Sequence, residues 1–343
     1  MEVFTLQDLY EFQKNFSINN VFIVGLRIPQ HYRRILFSIL TVTYILTLSC
    51  NLLVILLVFF TKLSHSPMYV LLSNLSLSEI LLTTDIVPPM LYIILRNGAN
   101  FSIVGCLMQF FLFGVFVVTE SFLLSAMSYD RYLAICKPLH YKIIMGPELC
   151  LCLIVICWTM GFLIMSIAVS VVNTLYLCRE NIDHFYCDVI PILKLSCSDT
   201  FMVEIVACFL SSSATLFPFL VIIVTYGCII QAITMISSSV GKEKAFSTCS
   251  SQLGVVFKYY STMIIVYVVP PGHFLTANKI ASLLYTVITP LVNPFIYTLR
   301  NQDIKSGVGG ILFKAVEISQ VLQKHEVEIR TYFQCSCCCP NAE

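Results

Sequence analysis

Seven long apolar runs, separated by short polar links, dominate the pattern along this chain. They cover about Leu36–Phe60, Met68–Leu95, Ile103–Cys136, Cys150–Val172, Phe201–Ala232, Ala245–Val269 and Ala277–Leu299. A helix needs roughly 20 apolar residues to cross a bilayer core roughly 30 Å thick, so each run predicts one membrane-spanning helix. Asn173–Thr200 is the one longer link. The expected class is an all-α membrane protein built as a seven-transmembrane helix bundle. Residues 1–34 and 301–343 are expected as tails on opposite sides of residues 35–300. No repeat relates the two halves, which argues against an inverted-repeat transporter. No stretch before Arg34 suits a cleavable signal peptide, so the first span is expected to serve as the signal anchor.

Composition strengthens this picture. The 343 residues are 58% hydrophobic and 11% charged, against about 25% charged in an ordinary soluble domain. Most of the chain must face lipid or other helices. The net charge of +1 argues against a nucleic-acid partner. The chain has no paired Cys-x-x-Cys spacing, no P-loop and no nucleotide-binding glycine pattern. With no nucleophile–base pair either, nothing points to an enzyme.

Charge orients the bundle weakly. Eleven Lys and Arg residues fall on the side of Arg131 and Lys244, eight fall on the other side, and Lys258 lies within a span. The positive-inside rule then puts the N-terminus outside, although Arg33 and Arg34 oppose it. The sequon Asn15-Phe16-Ser17 supports the same orientation and makes Asn15 a glycosylation candidate. A second sequon at Asn100 lies too near the membrane, and a third at Asn74 falls inside a span. The expected location is the plasma membrane, multi-pass, with an extracellular N-terminus and a cytoplasmic C-terminus.

The most specific string is Met127-Ser128-Tyr129-Asp130-Arg131-Tyr132-Leu133-Ala134-Ile135-Cys136-Lys137-Pro138-Leu139-His140-Tyr141. Taken alone, Arg131 either pairs with Asp130 or snorkels to the headgroups. Other strings follow in order along the chain. Pro67-Met68-Tyr69 and Leu72-Ser73-Asn74-Leu75-Ser76 lie in span two. Lys244-Ala245-Phe246-Ser247-Thr248-Cys249-Ser250-Ser251 opens span six. Pro290-Leu291-Val292-Asn293-Pro294-Phe295-Ile296-Tyr297 and Leu299-Arg300-Asn301 close span seven. Together, from roughly Val21 to Lys305, these strings resemble the odorant-receptor branch of the rhodopsin-like G-protein-coupled receptors. Three departures stand out. Span one has Cys50-Asn51 where the family has Gly-Asn, Gln252 replaces a histidine, and Tyr259-Tyr260-Ser261 replaces Phe-Tyr-Gly.

Cys106 at the outer start of span three and Cys178, Cys187 and Cys197 in the long loop all face an oxidising compartment in this orientation. Four cysteines allow three pairings, and free thiols stay open as well. The resemblance implies Cys106–Cys187, with Cys178–Cys197 as the second bridge.

Two acids stand out within the spans. Glu120 lies eleven residues outward of Arg131, about 16 Å along a helix and near the midplane. A bare carboxylate there costs several kcal/mol. By resemblance Asn51, Glu79, Glu120 and Asn293 are polar interior positions, expected to form one cluster that holds a sodium ion or a proton, or else a simple hydrogen-bonded core. Lys258 is fourteen residues after Lys244, about 21 Å along span six. Lys258 departs from an apolar family position, and either pairs with Glu120, Glu79 or an acidic ligand, or stays uncharged. Asp85 and Glu204, nearer the outer ends, are expected to be solvated.

Phe113, Val117 and Glu120 share a helix face at i, i+4, i+7, with Phe110, Gly114 and Val118 beside them. The resemblance implies that the outer half of span three lines a ligand pocket. It also implies contributions from Leu210, Ser211 and Ala214, from Met263, Ile264 and Tyr267, and from Leu283 and Thr286. Such a lining is apolar with few hydroxyls, as small-molecule sites usually are. The expected ligand is a small, mostly hydrophobic volatile odorant. The resemblance further implies a stimulatory heterotrimeric G protein as partner and cyclic AMP as output. Asp130, Arg131, Tyr226 and Tyr297 are the expected switch residues, with Pro218 and Pro294 as helix kinks. A rhodopsin-like receptor for a non-odorant small molecule, or an ion- or proton-coupled transporter using Glu79 and Glu120, are the competing readings. The tail cysteines 335–339 are either palmitoylated or inert thiols.

Overall fold

The computed structural model describes residues 18–235, 238–267 and 275–300. Asn15 and the tail cysteines lie outside the described residues, as do the side chains of Lys244, Tyr267 and Tyr297. Seven helices form the bundle: α1 (Gln30–Phe60), α2 (Pro67–Arg96), α3 (Ile103–Cys136), α4 (Pro147–Val172), α5 (Phe201–Met235), α6 (Ser239–Tyr267) and α7. The last is composite, running as Leu275–Leu283, a π-helical turn over Leu284–Ile288, and Thr289–Arg300. Six of these helices are long and apolar enough to cross a membrane by composition, and α6 falls short of that mark. Its 29 residues are long enough, but Gln252 and Lys258 dilute the apolar run.

Burial sorts the helices by place. On α3, residues from Cys106 through Leu133 are buried on nearly every face, because α2, α4, α5 and α6 surround it. On α1, Leu52, Leu53, Phe59 and Phe60 remain exposed, as an outer helix facing lipid requires. Helix α1 begins earlier than the apolar pattern indicates. Pro29 sets its start, and His31, Arg33 and Arg34 extend it through polar sequence that a hydropathy window cannot see.

The chain is not purely helical. One end of the bundle carries a three-stranded sheet ordered β2-β1-β3, formed from β1 (Asn20–Ile23), β2 (Ala99–Ser102) and β3 (Asn181–Ile182). The central strand pairs antiparallel with β2 and parallel with β3. Val21 and Ile23 are buried, so this part of the N-terminal segment is folded rather than a loose tail. The turn from α2 into β2 passes through Asn97 and Gly98, both at positive φ. A Cβ on Gly98 would strike the Phe22 ring, so glycine is required there. At the opposite end, Asp130 and Arg131 close α3, and a short helix, Pro138–Ile144, follows.

Candidate functional site

The 173–200 link folds back over the sheet end of the bundle. Cys106 is bonded to Cys187 and Cys178 to Cys197, with Cα–Cα separations of 5.4 and 5.8 Å. The first bridge ties the link to the start of α3. Gln109 strengthens the same junction, its Oε1 accepting from Cys187 N at 3.0 Å and its Nε2 donating to Asp85 O at 3.0 Å. Asp183 is held by Lys279 Nζ at 2.7 Å and by Arg27 at 3.7 Å. The hydrogen bond from Lys279 holds the Asp183 carboxyl below its ordinary value. Burial, then the charge of Lys279, push His184 down to about 3, so its imidazole is neutral in the folded protein.

Beneath this cover, among α3, α4, α5 and α6, lies a cavity of about 960 Å³. Phe110, Phe113, Gly114, Val117 and Val118 line it from α3; Leu210, Ser211 and Ala214 from α5; and Met263 and Ile264 from α6. The structure therefore brings these ten residues together. It adds residues the pattern did not single out: Ile164, Met165 and Ala168 on α4, Ser212, Thr215 and Phe219 on α5, and Tyr260 on α6. Arg179, Asp188, Lys194 and Glu204 gather at the mouth. The wall is mainly hydrocarbon. Away from the loop residues at the mouth, its polar points include the Ser211, Ser212 and Thr215 hydroxyls and Tyr260, whose OH shares a 3.1 Å hydrogen bond with Ser121 Oγ. Gly114 leaves space that Met165 occupies, since a Cβ there would collide with the Met165 side chain.

Leu283 and Thr286 do not line this cavity. A partition of aromatic rings stands between α7 and the space. Phe113 lies 5.1 Å from Tyr186 and 6.3 Å from Tyr285, while Tyr259 lies 5.1 Å from Tyr260 and 6.2 Å from Tyr285. Thr286 is buried behind it, donating to Ser282 O at 2.9 Å. The resemblance implies both as pocket residues; in the structure Leu283 directly precedes, and Thr286 lies within, a π-helical turn over Leu284–Ile288, which departs from ordinary helical spacing. Asp85, expected to be solvated, is half-buried, and its Oδ2 is buried without a hydrogen-bond partner among the described residues.

Asn51, Glu79, Glu120, Lys258 and Asn293 form a separate polar cluster deeper in the bundle. Asn51 Nδ2 donates to Thr47 O and Pro290 O, each at 3.1 Å. Asn293 Nδ2 donates to Glu79 Oε1. Lys258 Nζ donates to Asn293 Oδ1 and, at 2.9 Å, to Thr289 O. Lys258 thus turns toward α7 and does not line the cavity.

At the far end, Arg131 binds Asp130 Oδ2 through Nη2 at 2.6 Å and Nε at 3.1 Å, and Asp130 Oδ1 accepts from Tyr141 OH at 2.8 Å. Burial, then the Asp130 carboxylate, push the Tyr141 phenol well up, which keeps it a donor. Tyr226 is buried nearby, its hydroxyl without a partner among the described residues, within electrostatic reach of Arg131. Gln252 is fully buried and donates to Leu124 O at 3.4 Å, joining α6 to α3.

Comparison with known proteins agrees with this architecture. The family model for olfactory receptors matches residues 40–315. The chain is 40% identical over 299 residues to olfactory receptor 1G1 of Gorilla gorilla gorilla, covering 87% of this chain and 96% of that protein. It is 41% identical over 278 residues to olfactory receptor 11A1 of Homo sapiens, covering 80% and 88%. It is 38% identical over 299 residues to olfactory receptor 1468 of Rattus norvegicus, covering 87% and 95%. A seven-helix membrane bundle with a covered cavity at one end and an Asp-Arg pair at the other, matched over most of its length, this chain belongs to the olfactory receptor family of G-protein-coupled receptors and is an odorant receptor, not an enzyme.

Proposed function

We propose that this receptor binds a small, mostly hydrophobic volatile compound in the cavity among α3, α4, α5 and α6. Binding then opens the Arg131 end to a stimulatory heterotrimeric G protein that raises cyclic AMP. The observation carrying this reading is the cavity itself: about 960 Å³, walled by hydrocarbon, with a few hydroxyls at fixed points. Apolar walls favour an apolar ligand by the area it removes from water, about 25 cal/mol per Å². The Ser211, Ser212, Thr215 and Tyr260 hydroxyls discriminate among ligands that carry one oxygen function. A charged ligand would lose its hydration with no opposite charge deep in the pocket to replace it.

The sheet end faces outward in this reading, because both disulfides lie there and disulfides persist in oxidising compartments. The receptor sits in the plasma membrane with its N-terminus outside and C-terminus inside. A ligand shifts the two-state equilibrium only by its differential affinity for the two states. Tyr260 supplies a route for that difference. It touches the cavity, and through Ser121 it joins α6 to α3. Repositioning of Tyr260 changes the contact between these helices, and their far ends carry Arg131 and Gln252.

The test is a cyclic AMP screen in cells expressing the full chain, against a broad panel of volatile compounds. Agonists are expected to be neutral and mostly apolar. Ala214→Leu and Val118→Phe fill the cavity and should lower potency about tenfold or more, or roughly 1.4 kcal/mol, at equal surface expression. Unchanged potency in both variants for every agonist would place the ligand elsewhere.

A further inference from the structure

The polar cluster between α2, α3, α6 and α7 holds two carboxylates and one ammonium. Glu79 and Glu120 are both almost fully buried. Charge at this depth is costly unless it is paired. A bundle with two such acids and no basic partner would have to take up protons or a metal cation from outside. This chain has Lys258 instead. Its Nζ is within electrostatic reach of both Glu79 and Glu120. It donates to Asn293 Oδ1 and to Thr289 O, and the Asn293 amide passes the contact on to Glu79 Oε1.

We propose that the Lys258 ammonium is the resident cation of this cluster, occupying the place a sodium ion would otherwise take and making the receptor insensitive to sodium. Three observations support it. First, a carboxylate–amide–ammonium chain already runs Glu79–Asn293–Lys258, so the ammonium engages the amide that holds a buried carboxylate. Second, Thr289 O, a neutral oxygen of the kind that would ligate sodium, is engaged by Nζ. Third, the charge count is nearly closed: one ammonium balances one carboxylate, and a single proton neutralises the other. A sodium ion entering beside Lys258 would meet a fixed positive charge at close range in a low-dielectric interior, where like charges repel strongly. The tethered ammonium has a further consequence. Because it is covalently part of α6, the same contacts fasten α6 to α7.

The experiment measures thermal unfolding of the purified full chain in lipid nanodiscs as sodium replaces choline at constant ionic strength. No odorant or G protein enters this readout, so its outcome is separate from that of the odorant reading. Wild type is expected to show the same midpoint throughout. Lys258→Met removes the cation and leaves both carboxylates, so sodium ten times above its dissociation constant should raise the midpoint by roughly 2–4 °C. If Lys258→Met alone is not recovered as folded protein, the charge-balanced double variant Lys258→Met/Glu79→Gln should restore folding and show no sodium shift. A sodium-specific shift in wild type would overturn the proposal. So would a folded Lys258→Met without any shift, or a loss of folding that the double variant does not rescue.

Discussion

Arg131 is held at two nitrogens by Asp130, and Tyr141 occupies the other carboxylate oxygen of that acid. This two-sided hold restrains the residue expected to engage the G protein. Asp130→Asn should raise ligand-independent cyclic AMP several-fold, and Tyr141→Phe should raise it less, since it loses one charge-assisted hydrogen bond worth about 1.5–3 kcal/mol. Basal signalling at matched surface expression measures both, and a Tyr141→Phe receptor as quiet as wild type would remove Tyr141 from the restraint. The cavity has a comparable single-residue dependence at Gly114. Gly114→Ala displaces the Met165 side chain that packs against it, and methionine has rotamers to accept the change. Folding should survive, while potency for the larger agonists falls relative to the smaller ones in dose–response curves. The Asp-Arg pair and its intrahelical bond are readable from adjacent residues. The Tyr141 and Met165 contacts are not, because each joins residues from different elements.

Between elements, α3 and α4 approach closely at Gly161. A Cβ on Gly161 would lie 2.8 Å from Val115 O and 2.6 Å from Thr119 Oγ1. A backbone carbonyl cannot rotate away as a side chain can, so Gly161→Ala must separate the helices. The expected cost is about 1–3 kcal/mol, seen as a lower unfolding temperature and reduced surface expression. An unchanged unfolding temperature would show that the helices part freely. Nearby, Trp158 Nε1 donates to Asn74 Oδ1 at 3.3 Å, which ties α4 to α2 through the half-buried sequon asparagine. Helix α7 shows where spacing rules fail. Its π-helical turn, with Tyr285, Thr286 and Val287 buried, carries Tyr285 into the aromatic partition, and neither Leu283 nor Thr286 lines the cavity. A uniform 3.6-residue period cannot reveal that extra residue.

Across the whole molecule, the sheet end acts as a lid pinned by two disulfides, a small sheet and the Asp183–Lys279 pair. His184 makes it sensitive to acid. Its ordinary value is about 6.5 and its folded value about 3, so between those pH values the unfolded chain binds the additional proton. Stability from this burial is full above about pH 6.5 and declines as the pH falls toward 3. Thermal unfolding between pH 7 and 5 should therefore show a falling midpoint in wild type and a flatter profile in His184→Phe; equal slopes would discount the residue. The seven spans, the membrane setting and the receptor family were determined by the sequence alone. Lipid exposure imposes long apolar runs that are legible locally, and the ordered motifs are contiguous strings. The ten cavity residues on α3, α5 and α6 are expected from the family resemblance, with helical spacing adding only that Phe113 and Val117 share a face of α3. Only the tertiary structure decided the rest: that α4 and Tyr260 complete the cavity, that α7 is screened from it, and that Lys258 points to Asn293 rather than into the cavity. Lys258 and Asn293 are 35 residues apart, and Glu79 and Asn293 are 214 apart. The pairing of such distant groups is set by helix rotation and packing, and no local pattern encodes it.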